Sequence, residues 1–142
     1  MRRIVIAATL SSALLFAACG GGEAATTTAA APEAPGVTLV SPRQAADVVA
    51  AAPDGLVVLD VRTAKEWEQF RLADSILVDI YEDDFADRIA ELERNVPYVL
   101  YCNSGNRSAA ASSLMRDLGF GEVYEIDGGI QAWLADGLPT IP

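Results

Sequence analysis

Cys102-Asn103-Ser104-Gly105-Asn106-Arg107-Ser108 brings a nucleophile, small turn-forming residues and a fixed cation together within seven residues. The stretch follows an apolar run, Tyr98 to Tyr101, that reads as a buried strand, and precedes a helix over Ser108 to Leu118. A loop that turns tightly into a helix N-terminus points successive backbone N–H groups inward, which makes an anion nest. The helix adds the positive end of its dipole. Gly105 allows a backbone conformation that a side chain would hinder. Asn103, Ser104 and Asn106 tolerate turns, and Arg107 carries a fork that suits an anion. A thiol in that position is expected to ionise well below its free value of about 8.5. The chemistry this allows is attack by a thiolate on an oxyanionic or sulfur-bearing ligand. The competing reading is a buried filler cysteine beside a solvated first-turn arginine. The register of Cys, Gly and Arg at a strand–helix junction favours function.

The rest of the composition narrows the chemistry. The chain has 142 residues, 20 Asp+Glu against 10 Lys+Arg, and no His. That length suits one domain with a real core. Without histidine there is no Cys-His or Ser-His dyad and no His-ligated metal or haem. Residues Met1 to Ala18 hold Arg2 and Arg3 and no acid, so a chain beginning at Cys19 is more negative still than the full-length −10. Such a surface repels nucleic acid and offers no basic patch to anionic lipid, so no nucleic-acid partner is expected. An anionic ligand would need a positive potential made by the site itself. Cys19 and Cys102 are the two cysteines, and their contexts argue against a disulfide between them.

The first 36 residues read as address and tether. Arg2-Arg3 is a positive start, and Ile4 to Ala18 is an apolar run too short to be a comfortable membrane span. It ends in Leu15-Phe16-Ala17-Ala18-Cys19, which resembles a bacterial lipobox, with Phe16 where a small aliphatic residue is more usual. The expectation is a signal over 1–18, lipidation of Cys19, and an exported protein anchored by lipid, facing the periplasm or the cell exterior. An ordinary cleaved signal and an uncleaved anchor are the alternatives. Residues 19–36 are rich in Gly, Ala, Thr and Pro without large apolar side chains, so they are expected to form a flexible tether.

Residues 37–142 alternate strand and helix. Val37 to Val40 is a short strand. Ser41 caps a helix whose first residue is Pro42. Leu56 to Val61 is a continuous apolar strand, Ala64 to Phe70 a short helix, and Ile76 to Ile80 a third strand. Asp84 to Arg94 has helical spacing and is stopped by Val96-Pro97. Strands over Tyr98 to Tyr101 and Val123 to Ile126 flank the helix that Gly119 ends, and Gly129 to Ala135 is the last helix. The expected fold class is α/β: a small three-layer domain with a mostly parallel sheet and helices on both faces. In such sheets ligands sit at the carboxyl ends of the strands, where Cys102 falls.

Four stretches together resemble the rhodanese-like family. Leu59-Asp60-Val61-Arg62 with Glu66-Trp67 matches a D-x-R-x-x-x-E-aromatic entry, and Cys102 to Ser108 a C-x-x-G-x-R-S active loop. The helix from Ala109 to Gly119, followed by Phe120, is similar to the one after that loop. Gly128-Gly129-Ile130-Gln131-Ala132-Trp133 with Gly137-Leu138-Pro139 matches the C-terminal signature. One stretch departs: Phe70-Arg71-Leu72-Ala73-Asp74-Ser75 stands where the family carries G-H-I-x-G-A, so the local turn is expected to differ. Arg71 is read as solvated.

The resemblance implies a sulfurtransferase. Cys102 would take the sulfane sulfur of a small sulfur-containing anion such as thiosulfate and pass it to cyanide, a thiol or a protein acceptor. It implies no cofactor. Asn103, Ser104, Gly105, Asn106 and Ser108 would line the anion nest, and Arg107 would hold the donor or brace the loop. Asp60 and Arg62 would be scaffold, Trp133 core, and Gly128 and Gly129 backbone requirements. Replacement of Cys102 by Ser is expected to be nearly neutral for stability, at a partly exposed position. Two alternatives remain: a partner-specific persulfide relay or binding module, and a phosphatase or arsenate reductase on the same fold. The latter places one more residue between Cys and Arg than the four present here.

Overall fold

The computed structural model describes residues 36–142. The signal expected over 1–18, the expected lipidation of Cys19 and the tether expected over 19–36 lie outside the described residues, except Gly36, which opens the first strand. The elements in chain order are β1 (Gly36–Val40), α1 (Pro42–Ala51), β2 (Val57–Asp60), α2 (Ala64–Gln69), β3 (Ser75–Leu77), α3 (Phe85–Glu91), β4 (Pro97–Tyr101), α4 (Asn106–Asp117), β5 (Glu122–Ile126) and α5 (Gly129–Ala135). The strands form one five-stranded sheet in the order β1-β5-β4-β2-β3. All four strand pairings are parallel.

The period of two along β4 divides the core between the faces. Tyr98 and Leu100, then Cys102, pack with Ile89 of α3 and Ala111 and Met115 of α4. Val99 and Tyr101 face the other way, towards Ala45 of α1 and Ile130 and Trp133 of α5. Burial on both faces is what makes this strand read as a continuous apolar run. Trp133 lies in the core as expected, with its indole N–H donating to the Pro139 carbonyl at 2.9 Å.

Local chemistry sets the ends. Ser41 and Gln44 form a reciprocal capping box on α1, and Thr63 and Glu66 form one on α2. The third strand stops at Leu77, before the expected Ile80. Asp79 accepts the N–H of Tyr81 at 3.0 Å, and this local bond takes the backbone out of the ladder. The helix expected over Asp84 to Arg94 ends at Glu91, with Leu92 already extended. The Tyr98 hydroxyl donates to the Glu93 carbonyl at 2.6 Å and ties the connection to β4. Pro97 does not merely stop that helix but begins β4, where its missing N–H is tolerated.

The divergent stretch after α2 is held by contacts rather than glycines. Arg71 exchanges backbone bonds of 2.9 and 2.8 Å with Ile141 near the C-terminus. Its guanidinium lies 3.9 Å from the Trp67 ring centroid, so it is stacked rather than merely solvated. Asp74 takes the left-handed turn at φ 57°, a conformation that Asp adopts more readily than most residues.

Candidate active site

The loop 102–105 joins the central strand β4 to α4, at the carboxyl end of the sheet. Gly105 caps α4 at φ 98°, which glycine accepts without strain. The helix begins at Asn106, so Arg107 belongs to its first turn and not to the loop before it. Ser104 and Asn106 are exposed at the rim, while Asn103 is half-buried.

Cys102 is 1% exposed, which corrects the expected partly exposed position. Its side chain packs in the core shared by α3 and α4, because it continues the inward phase of Tyr98 and Leu100. The Gly105 N–H donates to Sγ at 3.1 Å. Burial is the largest single influence on the thiol and pushes its pKa up. The Ser108 hydroxyl and the N–H groups of Ser108, Ser104 and Gly105 together outweigh it, so the pKa lies below its ordinary value. Asn103 contributes differently: its carbonyl accepts the Gln131 N–H at 3.1 Å, and the Cys102 carbonyl accepts that of Ile130 at 2.9 Å. The start of α5 thereby clamps the back of the loop. A Cβ on Gly129 would lie 2.5 Å from the Cys102 oxygen, and the φ of +60° is itself a glycine conformation. Gly129 is therefore a requirement of this clamp, and Gly128 caps α5 at φ 70°, where a Cβ would meet Ala132 at 2.7 Å.

Arg107 braces the loop. Its two terminal nitrogens donate to the two carboxylate oxygens of Glu66, each at 2.7 Å. This contact across 41 residues is the structural use of the Glu in the D-x-R-x-x-x-E stretch, to which the sequence reading assigned no role. The same carboxylate accepts the Thr63 hydroxyl and N–H at 2.8 and 3.1 Å. The bonds from Arg107 are the main reason that the Glu66 pKa falls to about 2, against a smaller opposing effect of burial. Glu66 in turn raises that of Arg107. Tyr81, exposed on the β3–α3 connection, has its ring centroid 5.8 Å from the Arg107 guanidinium.

Asp60 and Arg62 form a second, fully buried pair at 2.7 Å. The Arg62 guanidinium also donates to the Phe70 carbonyl at 2.7 Å and lies between the rings of Phe70 and Tyr101, 5.4 and 5.5 Å from their centroids. The Tyr101 hydroxyl accepts the Leu72 N–H at 3.2 Å. The pair thus anchors the divergent stretch to β4, one residue before Cys102. Glu125 of β5 is the other residue that motif reasoning missed. Its buried carboxylate accepts the hydroxyls of Ser108 at 2.8 Å and Ser112 at 2.7 Å.

A buried thiol at the end of a central parallel strand, facing the Gly105 N–H and beside a forked arginine held on Glu66, is arranged as a candidate nucleophile. The profile of the family described as "Rhodanese-like domain" matches residues 44–136, and the chain belongs to that family. It is 36% identical over 81 residues to the thiosulfate sulfurtransferase GlpE of Pseudomonas savastanoi pv. phaseolicola, covering 57% of this chain and 74% of that protein. It is 38% identical over 98 residues to the tRNA uridine(34) hydroxylase of Corynebacterium glutamicum, but there it spans 64% of this chain and only 31% of the relative. The crystal structure of a rhodanese-related protein from Thermoplasma volcanium superposes with a TM-score of 0.63 at 31% identity, covering 72% of this chain and 95% of that one.

Proposed function

We propose that the protein is a sulfurtransferase that carries sulfane sulfur as a persulfide on Cys102, taking it from a donor such as thiosulfate and giving it to a thiophilic acceptor. The observation that carries this reading is the thiol itself, buried at the carboxyl end of β4 in front of α4 with the Gly105 N–H donating to it at 3.1 Å. In the first step the Cys102 thiolate attacks the outer sulfur of thiosulfate. A bond forms between Sγ and that sulfur, the S–S bond of the donor breaks, and sulfite leaves with the electron pair. The negative charge passes to the outer sulfur of the persulfide, within reach of the same inward donors. Cyanide or a thiolate then removes that sulfur and restores the Cys102 thiolate, so neither half-reaction needs a histidine.

Arg107 supports this chemistry through the loop, since both arms of its fork that reach Glu66 are occupied. The similarity to GlpE favours a small anionic donor. We propose further that the chain is exported and held by lipid on Cys19, so that the acceptor is a thiol, cyanide or a protein outside the cytoplasm. Thiosulfate followed by cyanide, with thiocyanate as the measured product, tests the reaction. Thiocyanate release that requires Cys102 supports it, and no release above that of a Cys102→Ser chain rejects it.

A further inference from the structure

Tyr81 is 71% exposed, yet its place is fixed. Its N–H donates at 3.0 Å to the carboxylate of Asp79, itself 8% exposed, and the Glu82 N–H donates to the Asp79 carbonyl at 3.2 Å. These bonds close a turn just past β3, at the same carboxyl end of the sheet as the loop 102–105. The segment leading into that turn is seated on the core around the thiol. Val78 shares the buried cluster of Cys102, and Ile80 packs against it. The Tyr81 ring centroid lies 5.8 Å from the guanidinium of Arg107, in the first turn after the loop. An aromatic ring held in solvent beside a buried nucleophile offers a flat apolar surface to an incoming molecule.

The charges around that ring disfavour a small dianion. Both carboxylate oxygens of Glu66 already meet the Arg107 fork. Glu82, Asp83 and Asp84 follow Tyr81 as consecutive exposed acids. Thiosulfate carries two negative charges and no apolar surface, so the acids repel it and the ring gives it no area to bury. A donor with one charge and an apolar body meets less repulsion and buries that body on the ring. We propose that Tyr81 is the specificity-determining residue of this site, seating the apolar body of an organic thiosulfonate in preference to inorganic thiosulfate. The Cys102 thiolate attacks the outer sulfur of the thiosulfonate, a bond forms between Sγ and that sulfur, and the S–S bond of the donor breaks. A sulfinate then leaves with the electron pair, where thiosulfate would release sulfite. The choice of donor rests on the sulfurtransferase reading, whereas the apolar seat on Tyr81 does not.

The test compares benzenethiosulfonate with thiosulfate as donors in the full chain, with cyanide as acceptor. Wild type is expected to show the higher kcat/KM with benzenethiosulfonate. Tyr81→Ala should lower that value about ten-fold while changing the thiosulfate value less than about two-fold. Tyr81→Phe keeps the ring and should keep the preference. A preference for thiosulfate in wild type overturns the proposal. So does an equal loss with both donors in Tyr81→Ala, which would mean that the ring acts only by covering Arg107. A second arm needs no sulfur donor: alkylation of Cys102 by iodoacetamide and by its N-phenyl derivative, read at the Cys102 peptide by mass spectrometry. The rate with the phenyl reagent, relative to iodoacetamide, should fall about ten-fold in Tyr81→Ala and hold in Tyr81→Phe. The same ratio in wild type and Tyr81→Ala, or a thiol that neither reagent reaches, rejects the seat. Transfer from neither donor together with a shifted alkylation ratio would reject the sulfurtransferase reading and support the seat.

Discussion

Arg107 in the first turn of α4 and Glu66 in α2 meet through two parallel bonds of 2.7 Å, fixing the helix that follows Cys102 to the helix that follows β2. The pair is only partly exposed, with side-chain exposures of 19% and 30%. It lies beside the thiol, whose negative charge further favours the charged form of Arg107.

Arg107→Ala and Glu66→Gln should therefore damage the same property. Each is expected to slow thiosulfate turnover, and Arg107→Lys should recover only part of the loss because the fork is gone. In a double-mutant cycle the effects should fall short of additive by about 1–3 kcal/mol. Independent, additive effects would mean that Arg107 acts on the donor and not through Glu66.

The same pair predicts an acid-sensitive component of stability. The Glu66 pKa is lowered to about 2 in the folded protein, chiefly by the bonds from Arg107, against about 4.3 when unfolded. The stabilisation is thus fully present above the unfolded value and is lost as pH falls through the folded one. Urea unfolding of wild type and Glu66→Gln should show a difference at neutral pH that shrinks steadily below about pH 4. A difference independent of pH would assign the pair no electrostatic part.

Asp60 is fully buried against Arg62, so Asp60→Ala leaves a guanidinium uncompensated in the core. The expected cost is about 3–5 kcal/mol in chemical denaturation. A cost within the range of ordinary surface substitutions would show that water or another group takes over the pairing.

Most of the architecture was legible in the sequence, for a physical reason. Strands such as Tyr98 to Tyr101 are buried on both faces and read as apolar runs, and caps such as Ser41 and Thr63 act within one helical turn. Cys102 and Arg107 could be singled out because they stand close in sequence across one strand–helix junction. What acts across the chain was hidden. Glu66 could be matched to a motif but not to Arg107, because nothing local shows which cation it meets. Glu125 sits in a short strand where alternation is easily taken for exposure, and its donors lie on another element. The burial of Cys102 was misjudged because a residue just past a strand end can point either way. The phase of β4 decides it.

Glycines at positive φ provide a contrast. Gly129→Ala would push a Cβ into the Cys102 and Asn103 backbone, whereas Gly119, at φ +80°, has open space around the same position. Gly119→Ala should cost only the left-handed conformation, about 1–2 kcal/mol, and leave Cys102 alkylation unchanged. Gly129→Ala should cost more and also slow alkylation, since the donors around Sγ move. Equal effects in both assays would show that α5 does not clamp the loop.

Sulfur on Cys102 is the step on which the proposed reaction depends. The most direct measurement is the intact mass of the protein after incubation with thiosulfate, followed by peptide mapping and then by cyanide. The Cys102 peptide should gain one sulfur, about 32 Da. Cyanide should reverse the gain and release thiocyanate, and the Cys102→Ser protein should show neither step. No mass gain in a folded protein, or a gain that survives Cys102→Ser, would contradict it.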